Sequence, residues 1–210
     1  MTEEELEARI EQARLNKRRR KIMKMRIASE EELESIIEQA KLDRETIFDI
    51  NFSEVTNLPE SIGDISTLIC LEVTHYKLNS IPETIGKLSN LTRLVLEVNQ
   101  LKIMPESICY LSNLTILNVS WNKLNRLPVN LGSLSNLTYL NLRNNELVTL
   151  PESICNLSEL TSLNLDYNRL ISLPDNIGNL DRLERLYLHG NKLTHLPKSI
   201  VNLTSTERLK

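Results

Sequence analysis

Aromatic side chains are scarce in this 210-residue sequence: one Trp, five Tyr and two Phe amount to 4%. Without rings to fill irregular space, a core of this kind needs a regular aliphatic lattice. Glycine is equally sparse, and the five present form no phosphate-binding loop pattern. No stretch of 18 apolar residues exists, so no membrane span is expected. Neither charge sign prevails: 25 basic against 28 acidic side chains give −3, which leaves the whole chain no basic footprint for nucleic acid. Three cysteines, Cys70, Cys109 and Cys155, are an odd number and suggest no disulfide framework. The opening MTEEELEARIEQARLNKRRR is charged from its start, unlike a secretory leader, and too acidic for a transit peptide. Cytoplasmic residence is the expectation, a signal-less export route leaving no trace in a sequence.

What is present is leucine, 39 residues of it, 35 beyond residue 44. Leu68, Leu91, Leu114, Leu137, Leu160 and Leu183 recur every 23 residues, each opening the pattern LxxLxLxxNxLxxLPxxIxxLxx. One period earlier, Phe48, Ile50, Val55, Leu58 and Pro59 fall in register. Seven repeats follow: 45–67, 68–90, 91–113, 114–136, 137–159, 160–182 and 183–205, with an eighth begun at Thr206. All seven prolines (59, 82, 105, 128, 151, 174 and 197) hold one position in the unit. A fixed period of this length signals a stacked-repeat architecture.

These phrases resemble the leucine-rich-repeat family over about four fifths of the chain. The LPxxIxxLxxL half is similar to the 23-residue class of Ras-group leucine-rich-repeat proteins, and equally to Roco and other bacterial leucine-rich-repeat proteins. The resemblance implies an α/β fold, a right-handed solenoid or horseshoe with a parallel concave sheet and a helical N-terminal cap. The LxLxx stretch suits a short strand with leucines inward, and the later Ile and Leu positions suit a short helix or 3₁₀ turn on the far side. The resemblance also implies that Asn99, Asn122, Asn145, Asn168 and Asn191, at the ninth position, form a buried structural ladder, since a buried amide needs partners. Ser53 and Tyr76 depart from that pattern, so a ladder broken at its N-terminal end is expected.

Residues 1–44 are a different material, with 11 basic and 11 acidic side chains. Residues 2–17 and 29–44 match at 10 of 16 positions, and both open with a capping box, Thr2 to Glu5 and Ser29 to Glu32. The segment reads as a helical cap or extension on a repeat domain covering 45–210. In the second copy Leu33, Ile36, Ile37, Ala40 and Leu42 approximate an apolar helix face. Between the copies lies a basic stretch, Lys17 to Arg26. It could be an anionic-surface or nucleic-acid patch, but the flanking glutamates neutralise it and no aromatics accompany it, so a solvated helix face is the stronger reading.

Function in such a lattice rests on the outward strand positions, the third, fifth, seventh and eighth of each repeat. Asp166 and His189 are neighbours in one row, about 4.8 Å apart, but Ser162 lies about 13 Å along the strand, beyond the ~3 Å a nucleophile and base require. His75 and His189 are five coils apart, about 24 Å, and no Cys/His cluster has zinc spacing. No catalytic residue, metal or cofactor is therefore assigned, and the chain is not expected to be an enzyme. The scarce aromatics do concentrate on these rows: Phe52, Trp121, Tyr139, Tyr167 and Tyr187 are five of eight. Aromatic and arginine side chains anchor interfaces. The candidate partner-binding set is Trp121, Tyr139, Arg143, Asp166, Tyr167, Arg185, Tyr187 and His189, floored by Asn118, Asn141 and Asn164. The expectation is a non-enzymatic module binding a protein or peptide. The family resemblance adds an adaptor or fragment of a GTPase or kinase scaffold and a bacterial host-interaction protein as alternatives, with binding through Lys17–Arg26 third. The sequence stops inside its eighth repeat, which suggests a piece of a longer chain or self-association through that end.

Overall fold

The computed structural model describes residues 29–51, 55–74, 77–203 and 208–209. The first copy of the N-terminal duplication, the stretch Lys17–Arg26, and Phe52, Ser53, His75 and Tyr76 lie outside the described residues.

The second copy forms helix α1, Glu30–Leu42. Ser29 caps it: its Oγ accepts the Glu32 N–H at 3.1 Å, and three glutamates occupy the first turn, where the helix dipole favours negative charge. Leu33, Ile37 and Ala40 are buried in the same core as the repeats, and Ile36 packs at its margin. Leu42 does not join them and is 74% exposed. Nine residues after Leu33, at about 100° per residue, it sits on the opposite side of the helix. The Ser61 hydroxyl donates to the Glu34 carboxylate, tying α1 to the first coil.

Among the described residues eight parallel strands follow in chain order, each paired with the next. They are β1 (Ile47–Asn51), β2 (Cys70–Thr74), β3 (Arg93–Val95), β4 (Ile116–Asn118), β5 (Tyr139–Asn141), β6 (Ser162–Asn164), β7 (Arg185–Tyr187) and β8 (Arg208–Leu209). The register advances by 23 residues at each step, so Leu94, Leu117, Leu140, Leu163 and Leu186 stack directly over one another. All five are fully buried. Opposite the sheet, seven 3₁₀ segments from Glu60–Asp64 to Lys198–Leu203 close the coils. Pro59, Pro82, Pro105 and Pro151 precede four of them with φ between −65° and −73°, and each carbonyl accepts the first 3₁₀ bond. Proline suits this place because its fixed φ is already the one required and its missing N–H is not needed.

Asparagines join the coils inside. The Nδ2 of Asn145 donates to the carbonyls of Val119 and Leu142, and its Oδ1 accepts the N–H of Leu124. Asn99, Asn122, Asn168 and Asn191 repeat the arrangement on Val73, Leu96, Leu142 and Leu165. The first four of the five are buried and Asn191 is only partly so.

Glycines mark a second close approach, between the 3₁₀ segments. A Cβ at Gly132 would lie 1.8 Å from the Ser153 carbonyl oxygen, and one at Gly178 would lie 2.0 Å from that of Ser199. Gly63 and Gly86 face Thr84 and Ser107 in the same way. Where the position holds Cys109 or Cys155, the next coil has Asn130 or Asn176 in place of Ser or Thr, and its 3₁₀ segment is shortened to Leu131–Ser133 or Ile177–Asn179. The three cysteines are free thiols.

Candidate interaction surface

The strands are shorter than the LxLxx pattern suggests. From β3 to β7 each spans three residues, the third to fifth positions of its repeat. The eighth position is therefore no strand row. Val98, Trp121, Asn144 and Tyr167 all have left-handed φ, between 53° and 57°, and Gly190 has 71°. That conformation costs a non-glycine residue about 1–2 kcal/mol. Bonds to the next coil hold it: the N–H groups of Val98, Trp121, Asn144 and Tyr167 donate to the carbonyls of Ser120, Arg143, Asp166 and His189. The result is a lip at the strand ends, on which Trp121 (50%) and Tyr167 (44%) stand exposed.

Four of the candidate residues meet there. The Arg143 guanidinium carbon lies 4.9 Å from the centre of the Tyr167 ring, and its Nη1 is 3.7 Å from the Asp166 carboxylate. The His189 ring meets Tyr167 edge-on at 5.2 Å. On its far side the Tyr167 ring lies against Gly190, where a Cβ would be 2.8 Å from Cδ1. Tyr167 is thus flanked by Arg143, His189 and Gly190 while remaining 44% exposed. Trp121 has no such company: among the described residues nothing accepts from its indole N–H.

Asp166 is 8% exposed. Its Oδ1 accepts from the backbone N–H of His189 at 2.8 Å, not from the imidazole, so the adjacent Asp and His form no catalytic pair. Ser162 is buried at 3%. Among the described residues no group of three or more His, Cys, Asp or Glu could hold a metal ion.

The floor asparagines are half-committed. Each turns its Oδ1 back onto the backbone two residues later: Asn118 onto Ser120, Asn141 onto Arg143 and Asn164 onto Asp166. This local cap ends the strand. The Nδ2 of Asn118 donates to Glu97, whereas those of Asn141 and Asn164 have no partner among the described residues. Tyr139 and Tyr187 are half-buried and Arg185 is exposed, with no carboxylate of the described residues within ion-pair distance.

Charge is polarised along the sheet. The N-terminal coils carry Asp49, Glu72 and Glu97, with Arg93 bound to Glu72 at 2.7 Å. On the same rows the C-terminal coils carry Arg143 and Arg185, and the one carboxylate of those rows, Asp166, is turned inward. Cys70 sits on the acidic half, its thiol pushed up to about 11 by burial and then by Glu72.

A groove of about 860 Å³ that composition did not reveal runs along the flank before the strands, lined chiefly by Thr92, Thr115, Thr138, Asn90, Asn113 and Asn136. Each of these threonines donates its hydroxyl to a carbonyl one coil back, and each asparagine donates its amide likewise. Each of these bonds spends one donor, leaving the threonine oxygens and one N–H of each asparagine amide. The flank's signal in the sequence was the recurring SNLT phrase, which the rows of outward strand positions do not include.

The family described as leucine-rich repeat region matches residues 125–210, and the family leucine rich repeat matches 113–134. A leucine-rich-repeat protein of Leptospira interrogans is 29% identical with TM-score 0.57, over 82% of this chain and 56% of its own. The leucine-rich-repeat ectodomain of the plant membrane receptor kinase GASSHO1/SCHENGEN3 from Arabidopsis thaliana is 30% identical with TM-score 0.67, over 74% of this chain and 20% of its own. That ectodomain was solved in complex with Casparian strip integrity factor 2. No curated protein matches the chain. The family matches and the in-register coils agree: the chain is a leucine-rich-repeat protein. It spans little more than half the length of the Leptospira structure and one fifth of the plant ectodomain. Among the described residues no helix is long and apolar enough to cross a membrane.

Proposed function

We propose that this chain is a non-enzymatic interaction module that binds a protein or peptide on the concave face of β4–β7 and the adjoining lip. The observation that carries the reading is Trp121, held exposed in a left-handed conformation with nothing of the described chain to satisfy its indole N–H. The left-handed backbone recurs at the eighth position of five coils, and at Trp121 it holds out an indole ring; Trp, with Tyr and Arg, is enriched among interface anchors. The fixed cluster of Arg143, Asp166, Tyr167 and His189 supports it, since pre-ordered side chains lose little entropy on docking. The plant ectodomain, a repeat module solved with a bound factor, supports it by likeness. In this reading residues 1–44 cover the first coil and 45–210 present the surface. An adaptor role in signalling of the Ras-group or Roco kind, and a role against host proteins, are narrower forms that the partner's identity decides.

The experiment is affinity capture with mass spectrometry, wild type against the Trp121→Ala/Tyr167→Ala double variant. The expected result is a partner whose affinity falls by at least ~2 kcal/mol in the variant. Equal capture by both, with folding intact by circular dichroism, would place the binding surface elsewhere.

A further inference from the structure

Resting on that reading, we propose that the surface takes an acidic peptide segment, laid diagonally across β5–β7 so that its carboxylates meet Arg143 and Arg185 while Asn164 donates to the chain between them. In the strand lattice Arg143 is the seventh residue of coil five, Asn164 the fifth of coil six and Arg185 the third of coil seven. Each step moves one strand over and two residues back, so the three fall on one diagonal. With strands about 4.8 Å apart and residues about 3.3 Å apart, the diagonal spans roughly 16 Å between the outer Cα atoms. An extended peptide covers that in about five residues.

Every group on this line is a donor. Arg185 is exposed and faces no carboxylate of the described residues. Asn164 has spent its oxygen on the Asp166 N–H and keeps both amide hydrogens. Arg143 lies over the Tyr167 ring at 4.9 Å with Nη1 3.7 Å from Asp166, beyond hydrogen-bond distance, so its N–H donors are left over for a ligand. Asp166, the one carboxylate on the outward rows of these coils, is turned inward, Oδ1 on the His189 N–H and Oδ2 toward Arg143; Glu184, exposed beside Arg185 in the chain, belongs to the flank row of the threonines. At the other end of the sheet the outward rows hold Asp49, Glu72 and Glu97 against Arg93, which pairs with Glu72, so their net negative charge disfavours an acidic segment, and charge complementarity selects the C-terminal coils and sets the ligand's position.

The probe is a fluorescein-labelled ten-residue peptide of alternating Glu and Ser, beside its Gln counterpart, titrated with the full chain in fluorescence anisotropy at two salt concentrations. Three variants accompany it. Arg185→Glu reverses a charge on the diagonal. Asn164→Asp keeps the oxygen that caps the strand and removes the donor. Arg126→Glu makes the same charge change on an exposed residue off the face. The expected result is saturable binding of the Glu peptide, weakened by salt and absent for the Gln peptide. Arg185→Glu and Asn164→Asp should each weaken it at least about tenfold, the lower end for a hydrogen bond to a charged group, and Arg126→Glu should leave it within twofold of wild type. No binding of the Glu peptide overturns the proposal. So does equal weakening by Arg126→Glu, and so does equally tight binding of polyuridylate or phosphatidylserine vesicles, which would mean general polyanion attraction. A captured partner that is lost in the Trp121/Tyr167 variant but unaffected by Arg185→Glu and Asn164→Asp overturns this proposal alone and leaves the interaction surface standing.

Discussion

The Tyr167 ring occupies the space a side chain at Gly190 would need: a Cβ there would be 2.8 Å from Cδ1, and the residue's φ of +71° is strained for any other amino acid. Gly190→Ala should therefore destabilise the protein by about 1–2 kcal/mol, from the left-handed backbone together with the displaced ring. Urea unfolding checks the size. Placing Gly190→Ala in a Tyr167→Ala background should recover the steric part and leave the backbone part. Full additivity of the two changes would show that the ring is not held there.

Removal of Asn145 strands the Leu124 N–H inside the core and takes one of two amide donors from each of the Val119 and Leu142 carbonyls, which keep those of Asn122 and Asn168. Asn145→Ala should cost about 2–3 kcal/mol, the scale of buried groups left unpaired. Asn191→Ala should cost less, because that residue is partly exposed and water can replace it. Thermal melts of the two variants give the order, and a larger loss at Asn191 would contradict it.

The pairing of Gly132 with Ser153 should behave as a coupled pair. Gly132→Cys alone forces a Cβ to 1.8 Å from the Ser153 carbonyl oxygen and is expected to be strongly destabilising. Ser153→Asn in addition recreates the Cys109–Asn130 and Cys155–Asn176 combination present elsewhere in the chain. A double-mutant cycle by chemical denaturation should give a favourable coupling of at least ~1 kcal/mol. A coupling near zero would mean that the two combinations are not alternative packings of one contact.

Burial pushes the Cys109 and Cys155 thiols up from 9.0 to about 11, with the Glu106 and Glu152 carboxylates adding to the shift. These thiols ionise more easily in the unfolded chain than in the folded one. Stability from this source is complete below pH 9.0 and is lost as pH rises through about 11. Urea midpoints should fall across that window, and Cys109→Ser/Cys155→Ser should flatten the decline relative to the starting protein. At pH 8 iodoacetamide should label the native chain far more slowly than the urea-unfolded one, as mass spectrometry would record.

The coil was readable in the sequence because its determinants recur: a leucine six times, an asparagine five times and a proline seven times, each at a fixed place, outweigh any single ambiguous residue. Side-chain occupancy was harder to read. Tyr167 and Trp121 hold the same position in the repeat, yet one ring is enclosed by Arg143, His189 and Gly190 while the other stands alone. That difference follows from which residues stand one coil before and after, a relation across 23 positions. Asp166 alternates outward along its coil like any variable residue, and only the left-handed lip brings the His189 N–H onto its carboxylate. The matching of Gly with Ser or Thr, and of Cys with Asn, was written in the letters as well, but nothing marks it as a contact until one coil's nineteenth residue is seen to meet the next coil's seventeenth.

The asparagine ladder has a consequence for how such a chain lengthens. Each asparagine answers a donor and an acceptor belonging to the coil before it, so each of the five units from residue 91 onward arrives carrying what its predecessor lacks. Insertion of a whole unit leaves no backbone group stranded at either junction, whereas insertion of any other length shifts asparagine out of step with leucine and spoils both. Growth by copying whole units is thus the change this molecule tolerates best, and the Trp and Arg positions on its open face can then diverge without touching the bonds that hold the copies together.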